Sequence, residues 1–344
     1  MCRSHTNVPK IFYIVVIIAV VGAVLWILTY APAWTEQYDW SQLPLIPFQG
    51  PEFCNRQCNA SCRQQQEMKS NQTLPDIWFI ESTLRNGICL NERQACAVES
   101  AALRNPNLTV NLLLTGPMAN RCSTLRTLSA IPNFRAAFFD VRTEFRGTPL
   151  EPWYKRGKWK TAKNKVEDMS DALRWLVLWK HGGVYLDLDV IVLKRLHELK
   201  NGGAYQNPGF RGTAVLFFDK WHPFLNEIQQ TCVREYKTAA WGSCGPTLFD
   251  HVHDRWTAAN SSPPVSMLPT EMFYAIHYNS WEKFFRTNYT AEVFHAVRNS
   301  LGVHVWNKLS GVGSVQVGSG SAYDLLARFN CPLTYEAMVA RKVL

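Results

Sequence analysis

The chain has 344 residues, 47% of them apolar and 18% charged, and a net charge of +9. That apolar share supports a sizeable folded core and excludes a wholly disordered chain, and the length suits one large domain with appendages or two domains. The positive charge calls for an acidic partner. No zinc-finger spacing or RNP-like aromatic string accompanies it, so nucleic acid is set aside in favour of a small or lipid-borne anion.

Residues 11–30, IFYIVVIIAVVGAVLWILTY, carry no charge. At about 1.5 Å per residue they span a hydrocarbon core of about 30 Å. The run is longer than a signal-peptide core and is followed by bulky Trp26, Tyr30 and Trp34 rather than a small-residue cleavage site. It reads as an uncleaved signal anchor over 11–31. Arg3 and Lys10 precede it, and Glu36 and Asp39 follow it. This charge order leaves residues 1–10 cytosolic and sends the rest into a lumen. Trp34, Tyr38 and Trp40 suit an interfacial aromatic belt.

Residues 32–75 are rich in Pro, Gln, Asn and Ser without sustained periodicity, and read as a luminal stem. Glycan acceptor sequons stand at Asn59, Asn71, Asn107, Asn260 and Asn288. Nine of the ten cysteines follow the span, as an oxidising compartment allows. Cys54, Cys58 and Cys62 recur every four residues. They read as disulfides or stem cross-links, the latter joining a homo-oligomer, and connectivity stays open.

From Asp76 to residue 344 the texture is that of a folded body. DIWFIES reads as a strand, ERQACAVESAALRNP as a helix ending near Asn105-Pro106, and TVNLLLTG and RAAFFDV as further strands. Strands alternating with helices predict an α/β domain with a mainly parallel sheet. EPWYKRGKWKTAKNK, 151–165, is strongly basic and aromatic; it reads as a solvated loop, or as a border of an acceptor cleft or a contact with anionic lipid. EDMSDALRWLVLWKHGG, 167–183, repeats apolar residues at helical spacing, with acids first, Lys180 and His181 last, and Gly182-Gly183 as a stop. TAVLFF reads as a strand; PFLNEIQQTCVREY, PTLFDHVHDRW and the C-terminal tail read as helices. The 13 Trp suit sugar faces or ordinary core packing.

GGVYLDLDVIVLK, 182–194, reads as one buried strand with Val184, Leu186, Leu188, Val190 and Val192 on one face. Asp187 and Asp189 then share the other, about 6–7 Å apart at Cα. Two unpaired buried carboxylates are costly. They need a buried cationic side chain, or a hard divalent cation such as Mn²⁺ or Mg²⁺ that shares them with waters and phosphates. Asp171 and Arg174, three apart on the preceding helix, share a face, which also suits a plain helical ion pair.

The run SDALRWLVLWKHGGVYLDLDVIVLK resembles the signature of the DXD-motif α-1,4-glycosyltransferases, whose members include lactosylceramide 4-α-galactosyltransferases and α-1,4-N-acetylglucosaminyltransferases. The blocks WFIES, CAVESAALRNP, TPLEPWY, WGSCGPTLF, LPTEMFYAI, VHVWNK and CPLTYEAM resemble that family in the same order, over roughly 76–344. The resemblance implies a GT-A-type nucleotide-sugar-binding domain, behind a single-pass type II anchor in the Golgi membrane. It implies a retaining, Mn²⁺- or Mg²⁺-dependent hexosyltransferase using a UDP-sugar.

By position, Asp187 and Asp189 form the DXD motif. The resemblance implies that Asp189 ligates the metal and that Asp187 reaches the metal shell or the ribose. Asp171 and Arg174 match the family's Asp-x-x-Arg, which the resemblance implies contacts the donor sugar. His304, within VHVWNK, is either a third ligand or a core histidine, Trp306 is expected to shape the donor pocket, and Lys308 to hold the diphosphate as a point charge. Ile80 and Glu81 end the first strand, where an open α/β sheet receives a nucleotide.

Donor and acceptor stay open between UDP-galactose and a UDP-N-acetylhexosamine, and between a glycolipid, as in α-1,4-galactosyl transfer to a glycosphingolipid, and other glycans. No residue pattern names a nucleophile, so same-face attack is the expected route to retention. A rival reading is an anchored sugar-binding protein without turnover, which would have dropped the metal ligands. A two-metal hydrolase would carry a denser His/Asp cluster.

Overall fold

A computed structural model describes residues 76–119, 121–196, 198–311 and 316–341. The expected cytosolic tail (1–10), membrane span (11–31) and stem (32–75), with Asn59, Asn71, Cys54, Cys58 and Cys62, lie outside the described residues. Among those described, no helix is long and apolar enough to cross a membrane.

The alternation read from the sequence builds a layered α/β body. β1 (Ile77–Glu81) pairs in parallel with β2 (Val110–Leu114), and β2 in parallel with β3 (Phe134–Phe138). Between β1 and β2 runs α1 (Glu92–Arg104). Asn91 starts it with a reciprocal capping box with Gln94, which satisfies backbone donors left open at a helix start. α2 (Ser123–Ser129) connects β2 to β3.

After β3 come the short α3 (Val141–Glu144) and α4 (Glu151–Arg156), then a 3₁₀ turn at Lys158–Thr161. The basic segment is thus a helix and a turn rather than a solvated loop. The reason is its aromatics: Trp153 and Trp159 are buried, and their rings stack at 6.1 Å. Burying two such rings outweighs the preference of the lysines for a solvated coil.

α5 (Lys165–His181) follows as the periodicity predicts, with Met169, Ala172, Leu173, Leu176 and Val177 all buried. It stops because Gly182 and Gly183 take φ of 68° and 99°, which favour glycine. A Cβ on Gly183 would also strike the Asp76 carbonyl. β4 (Gly183–Leu186) then pairs in parallel with β1 and antiparallel with β7 (Phe210–Phe218).

β6 (Gly202–Asn207) pairs antiparallel with β7 and parallel with β8 (Ser266–Leu268). The order is β3-β2-β1-β4-β7-β6-β8. β5 (Val190–Val192) leaves this sheet to pair antiparallel with β9 (Gly302–His304).

The expected strand over 182–194 is therefore two strands in two sheets, with Asp187, Leu188 and Asp189 in the turn between them. Val190 N–H closes the turn on the Asp187 carbonyl at 3.1 Å. The acids are the reason: a sheet interior would strand their charge, whereas a turn at the end of β4 opens it to a cavity.

Alternating strand residues split the core. Ile77, Phe79, Leu112, Val184 and Leu186 face α1, α2 and α10 (Ala322–Asn330). Trp78, Ile80, Leu113, Tyr185 and Leu216 face α5, α6 (Pro223–Glu235) and α7 (Pro246–Ala258). α8 (Thr290–Val297), α9 (Asn307–Ser310) and α11 (Pro332–Arg341) complete the described α-helices. Disulfides join Cys89–Cys122, Cys96–Cys331 and Cys232–Cys244, so every cysteine among the described residues is paired.

Candidate active site

A cavity of about 850 Å³ lies beyond the carboxyl ends of β1 and β4, where open α/β sheets receive ligands. Ile80 and Glu81 line it from the end of β1, Asp171 and Arg174 from α5, Asp187 and Asp189 from the turn, and His304, Trp306 and Lys308 from β9 onward. All nine sequence-predicted donor and metal residues thus share one cavity.

The turn is pinned at both ends. Asp187 N–H donates to the Ala214 carbonyl on β7 at 2.8 Å, and Val305 N–H donates to the Asp189 carbonyl at 2.9 Å. Val190 sits opposite His304 in the β5–β9 ladder, which carries the imidazole to the aspartates. His304 Nε2 lies 3.1 Å from Asp189 Oδ1. Asn307 N–H, at the start of α9, donates to Asp189 Oδ2 at 2.9 Å. Burial raises the Asp189 carboxyl, but the His304 ring, the Asn307 amide and Arg93 outweigh it and hold the carboxyl below its ordinary range.

Ligand atoms of Asp187, Asp189 and His304 all lie within 4.8 Å of one another. Two carboxylates and an imidazole make a donor set that suits a first-row divalent cation. The buried Nδ1 of His304 has no partner among the described residues, so the ring is not consumed as an ordinary core histidine. The chemistry of the three side chains fits a metal.

Arg174 explains the second aspartate. Its guanidinium lies 3.3 Å from Asp187 Oδ1 and 3.2 Å from Asp171 Oδ1. It also donates to the Thr213 carbonyl at 2.6 Å and to Ser170 Oγ at 2.9 Å, and lies 4.9 Å from the Tyr185 ring centroid. Burial pulls its pKa down, but Asp187, Tyr185 and Asp171 prevail and raise it. Tyr185 hydroxyl donates to Asp187 Oδ1 at 2.6 Å. Asp187 is therefore held by an arginine and a tyrosine while its side chain keeps 26% exposure to the cavity. Burial pushes the Asp171 carboxyl up to about 7, with Arg174 opposing and Asp187 adding to the rise.

Trp306 is buried at a φ of 57°. Its Nε1–H donates to the Ile276 carbonyl at 2.9 Å, and its ring stands edge-on to His304 with centroids 4.0 Å apart. It packs the histidine as well as walling the cavity. Lys308 sits at the exposed rim, its ammonium 2.5 Å from Glu167. Glu81 is buried with Oε2 lacking a partner among the described residues. Asn107, Asn260 and Asn288 are all exposed.

Several residues escaped the sequence reading. Tyr185 stands two before Asp187 and so shares its face, a signal that was present. Arg93 gave none: from α1 it donates to Ser310 O at 2.8 Å and Ser310 Oγ at 2.5 Å, clamping the turn behind His304. Trp241 lines the cavity while 51% exposed, on a segment tied down by Cys232–Cys244.

Comparison with known proteins agrees with this geometry. Residues 91–206, which hold both aspartates, Asp171 and Arg174, match the family described as "Glycosyltransferase sugar-binding region containing DXD motif". Residues 217–338, which hold His304, match "Alpha 1,4-glycosyltransferase conserved region". A lactosylceramide 4-alpha-galactosyltransferase of Homo sapiens is 34% identical over 276 residues, covering 76% of this chain and 77% of that one. The Mus musculus protein of that name is 32% identical, covering 76% of each chain. An alpha-1,4-N-acetylglucosaminyltransferase of Homo sapiens is 30% identical over 261 residues, covering 71% of this chain and 76% of that one. With both DXD aspartates on a shared cavity and such relatives over three quarters of its length, the chain belongs to the α-1,4-glycosyltransferase family and is a glycosyltransferase.

Proposed function

We propose that residues 76–344 form a GT-A-type catalytic domain that moves a galactose-type sugar from a UDP-sugar, with retention and in α-1,4 linkage, to a terminal sugar of a glycosphingolipid. In this reading the chain is a single-pass type II protein of the Golgi membrane, anchored by 11–31, raised on the stem 32–75, and glycosylated in the lumen. The convergence of Asp187, Asp189 and His304 on one cavity carries the reading. The cavity's size falls within the roughly 300–1,000 Å³ usual for small-molecule sites.

Asp187, Asp189 and His304 would hold Mn²⁺ or Mg²⁺, which screens the charge of a departing diphosphate. Arg174 and Tyr185 hold Asp187 in place. Glu81 meets the nucleoside at the end of β1. Lys308 leaves Glu167 for the diphosphate, because an exposed pair of this kind is worth only about 0–1 kcal/mol. The acceptor hydroxyl oxygen attacks the anomeric carbon on the face that the leaving phosphate vacates. The carbon–phosphate-oxygen bond breaks, and the hydroxyl proton passes to the departing phosphate oxygen. Trapping a covalent sugar–enzyme adduct would overturn this route.

The N-acetylglucosaminyltransferase relative supports a second reading, transfer of an N-acetylhexosamine to a glycolipid or glycoprotein glycan. One experiment separates them. Full-length protein is offered labelled UDP-galactose, UDP-N-acetylgalactosamine and UDP-N-acetylglucosamine with neutral glycolipid acceptors, with and without a chelator. Transfer of galactose, lost on chelation, is expected; transfer of an N-acetylhexosamine alone selects the second reading. No transfer or donor hydrolysis with any donor would leave an anchored sugar-binding protein.

A further inference from the structure

A second concavity, of about 390 Å³, shares no lining residue with the active-site cavity. Among the described residues that line it, four are cations, Arg142, Arg146, Lys155 and Lys160, and one is an acid. That acid, Glu151, is already engaged by Lys155 at 2.7 Å and by the Gly147 N–H at 3.0 Å. Among the described residues, no carboxylate lies within 4.0 Å of the side-chain nitrogens of Arg142, Arg146 or Lys160. Asp140, nearby, accepts from the Arg142 N–H at 3.1 Å and the Thr143 hydroxyl at 2.7 Å, and its carboxylate offsets part of the Arg142 charge.

The concavity sits within the most basic stretch of the chain. Residues 142–165 contain eight Lys or Arg and two Glu, which is six of the nine net positive charges. The frame is fixed rather than mobile coil. Trp153 and Trp159 are buried beneath it, and Lys180 ties Glu144 to α5 at 2.7 Å. Phe145 and Tyr154 stack inside it with centroids 4.6 Å apart, and the positive charge of Arg142 acts on the Tyr154 hydroxyl.

Like charges gathered in a concavity repel one another and focus the field that attracts an anion. Arginine forks match the paired oxygens of a tetrahedral oxyanion, and aromatic faces beside them suit the apolar face of a sugar or inositol ring. We propose that this concavity binds a phosphate or sulfate ester, presented either as a soluble anion or as the headgroup of a membrane lipid. The site is separate from turnover, so it neither needs nor supports the donor assignment above.

The test uses full-length protein in neutral detergent micelles. Its thermal midpoint is followed against sodium sulfate at constant ionic strength, then in micelles doped with sulfated galactosylceramide or with uncharged galactosylceramide. The wild type is expected to gain stability with sulfate, with the sulfated lipid, or with both, and none with the uncharged lipid. A response to both probes assigns a free-oxyanion site, and a response to the lipid alone assigns a headgroup site. Arg142→Ala/Arg146→Ala is expected to weaken that response by at least about tenfold while leaving sugar transfer unchanged. Lys160→Glu, exposed on the 3₁₀ turn Lys158–Thr161, serves as a second variant outside the α-helices. The proposal is overturned if neither probe stabilises the wild type, or if both variants respond as the wild type does.

Discussion

Arg174 on α5 and Asp187 in the turn after β4 meet at 3.3 Å, so the helix that precedes the aspartate turn also holds it. The guanidinium is nearly buried and spends its nitrogens on protein groups. In the proposed function it acts on the donor site by fixing Asp187.

A lysine at 174 keeps the charge but loses the planar fork. Arg174→Lys is expected to lower kcat/KM by about 100-fold, as small misplacements at a reacting centre do. It should also raise the metal concentration needed for half-maximal rate. A variant that changed the donor KM alone, with the metal requirement untouched, would return Arg174 to a sugar-contact role.

Asp189→Asn preserves an oxygen for the Asn307 N–H but removes the charge that faces His304. Transfer is expected to fall by at least about 10³-fold while the thermal midpoint moves little. Turnover within a few-fold of wild type would remove Asp189 from the metal site.

Gly245 packs against Asp171, and a Cβ there would collide with the buried carboxylate and not with a flexible side-chain tip. Gly245→Ala is expected to cost about 1–3 kcal/mol of stability and to reduce activity by displacing Asp171 from Arg174. Unchanged urea midpoints together with unchanged kcat would show that the loop yields.

Asp171 makes stability depend on pH. Its carboxyl rises to about 7 through burial, against about 3.9 in an unfolded chain. The folded state therefore holds this proton more tightly, and the resulting stability is fully present below about pH 3.9 and lost as pH rises through about 7. Between pH 5 and pH 8 the urea midpoint of the wild type is expected to fall further than that of Asp171→Asn. Equal falls would mean that Asp171 ionises as a solvated carboxylate does.

Arg93 clamps Ser310, whose hydroxyl in turn donates to the Val305 carbonyl at 3.0 Å. Arg93→Ala is expected to cost about 10–100-fold in metal affinity or activity, the usual penalty for losing support behind a ligand. Restoration by excess metal would distinguish this positioning role from general unfolding.

Much of the body was legible because its signals are local. The faces of β1, Ile77 and Phe79 against Trp78 and Ile80, follow from strand alternation, and α5 follows from its apolar spacing and its glycine stop. Asp187 and Asp189 stood out because two acids in an apolar run demand an explanation. The break after Leu186 did not show, because periodicity describes which side a residue faces and not which sheet it joins. The basic segment misled in the same way: its charge pattern was visible, and the burial of Trp153 and Trp159 was not.

The sequence by itself determined which residues had the chemistry to bind a cation and a nucleotide, since carboxylate, imidazole and guanidinium are properties of single side chains. Only the tertiary structure decided their partners. Asn307 reaches Asp189 across 118 residues, and His304 arrives through the β5–β9 ladder. Such pairings come from chain topology and shared burial, which act over distances that no local pattern encodes.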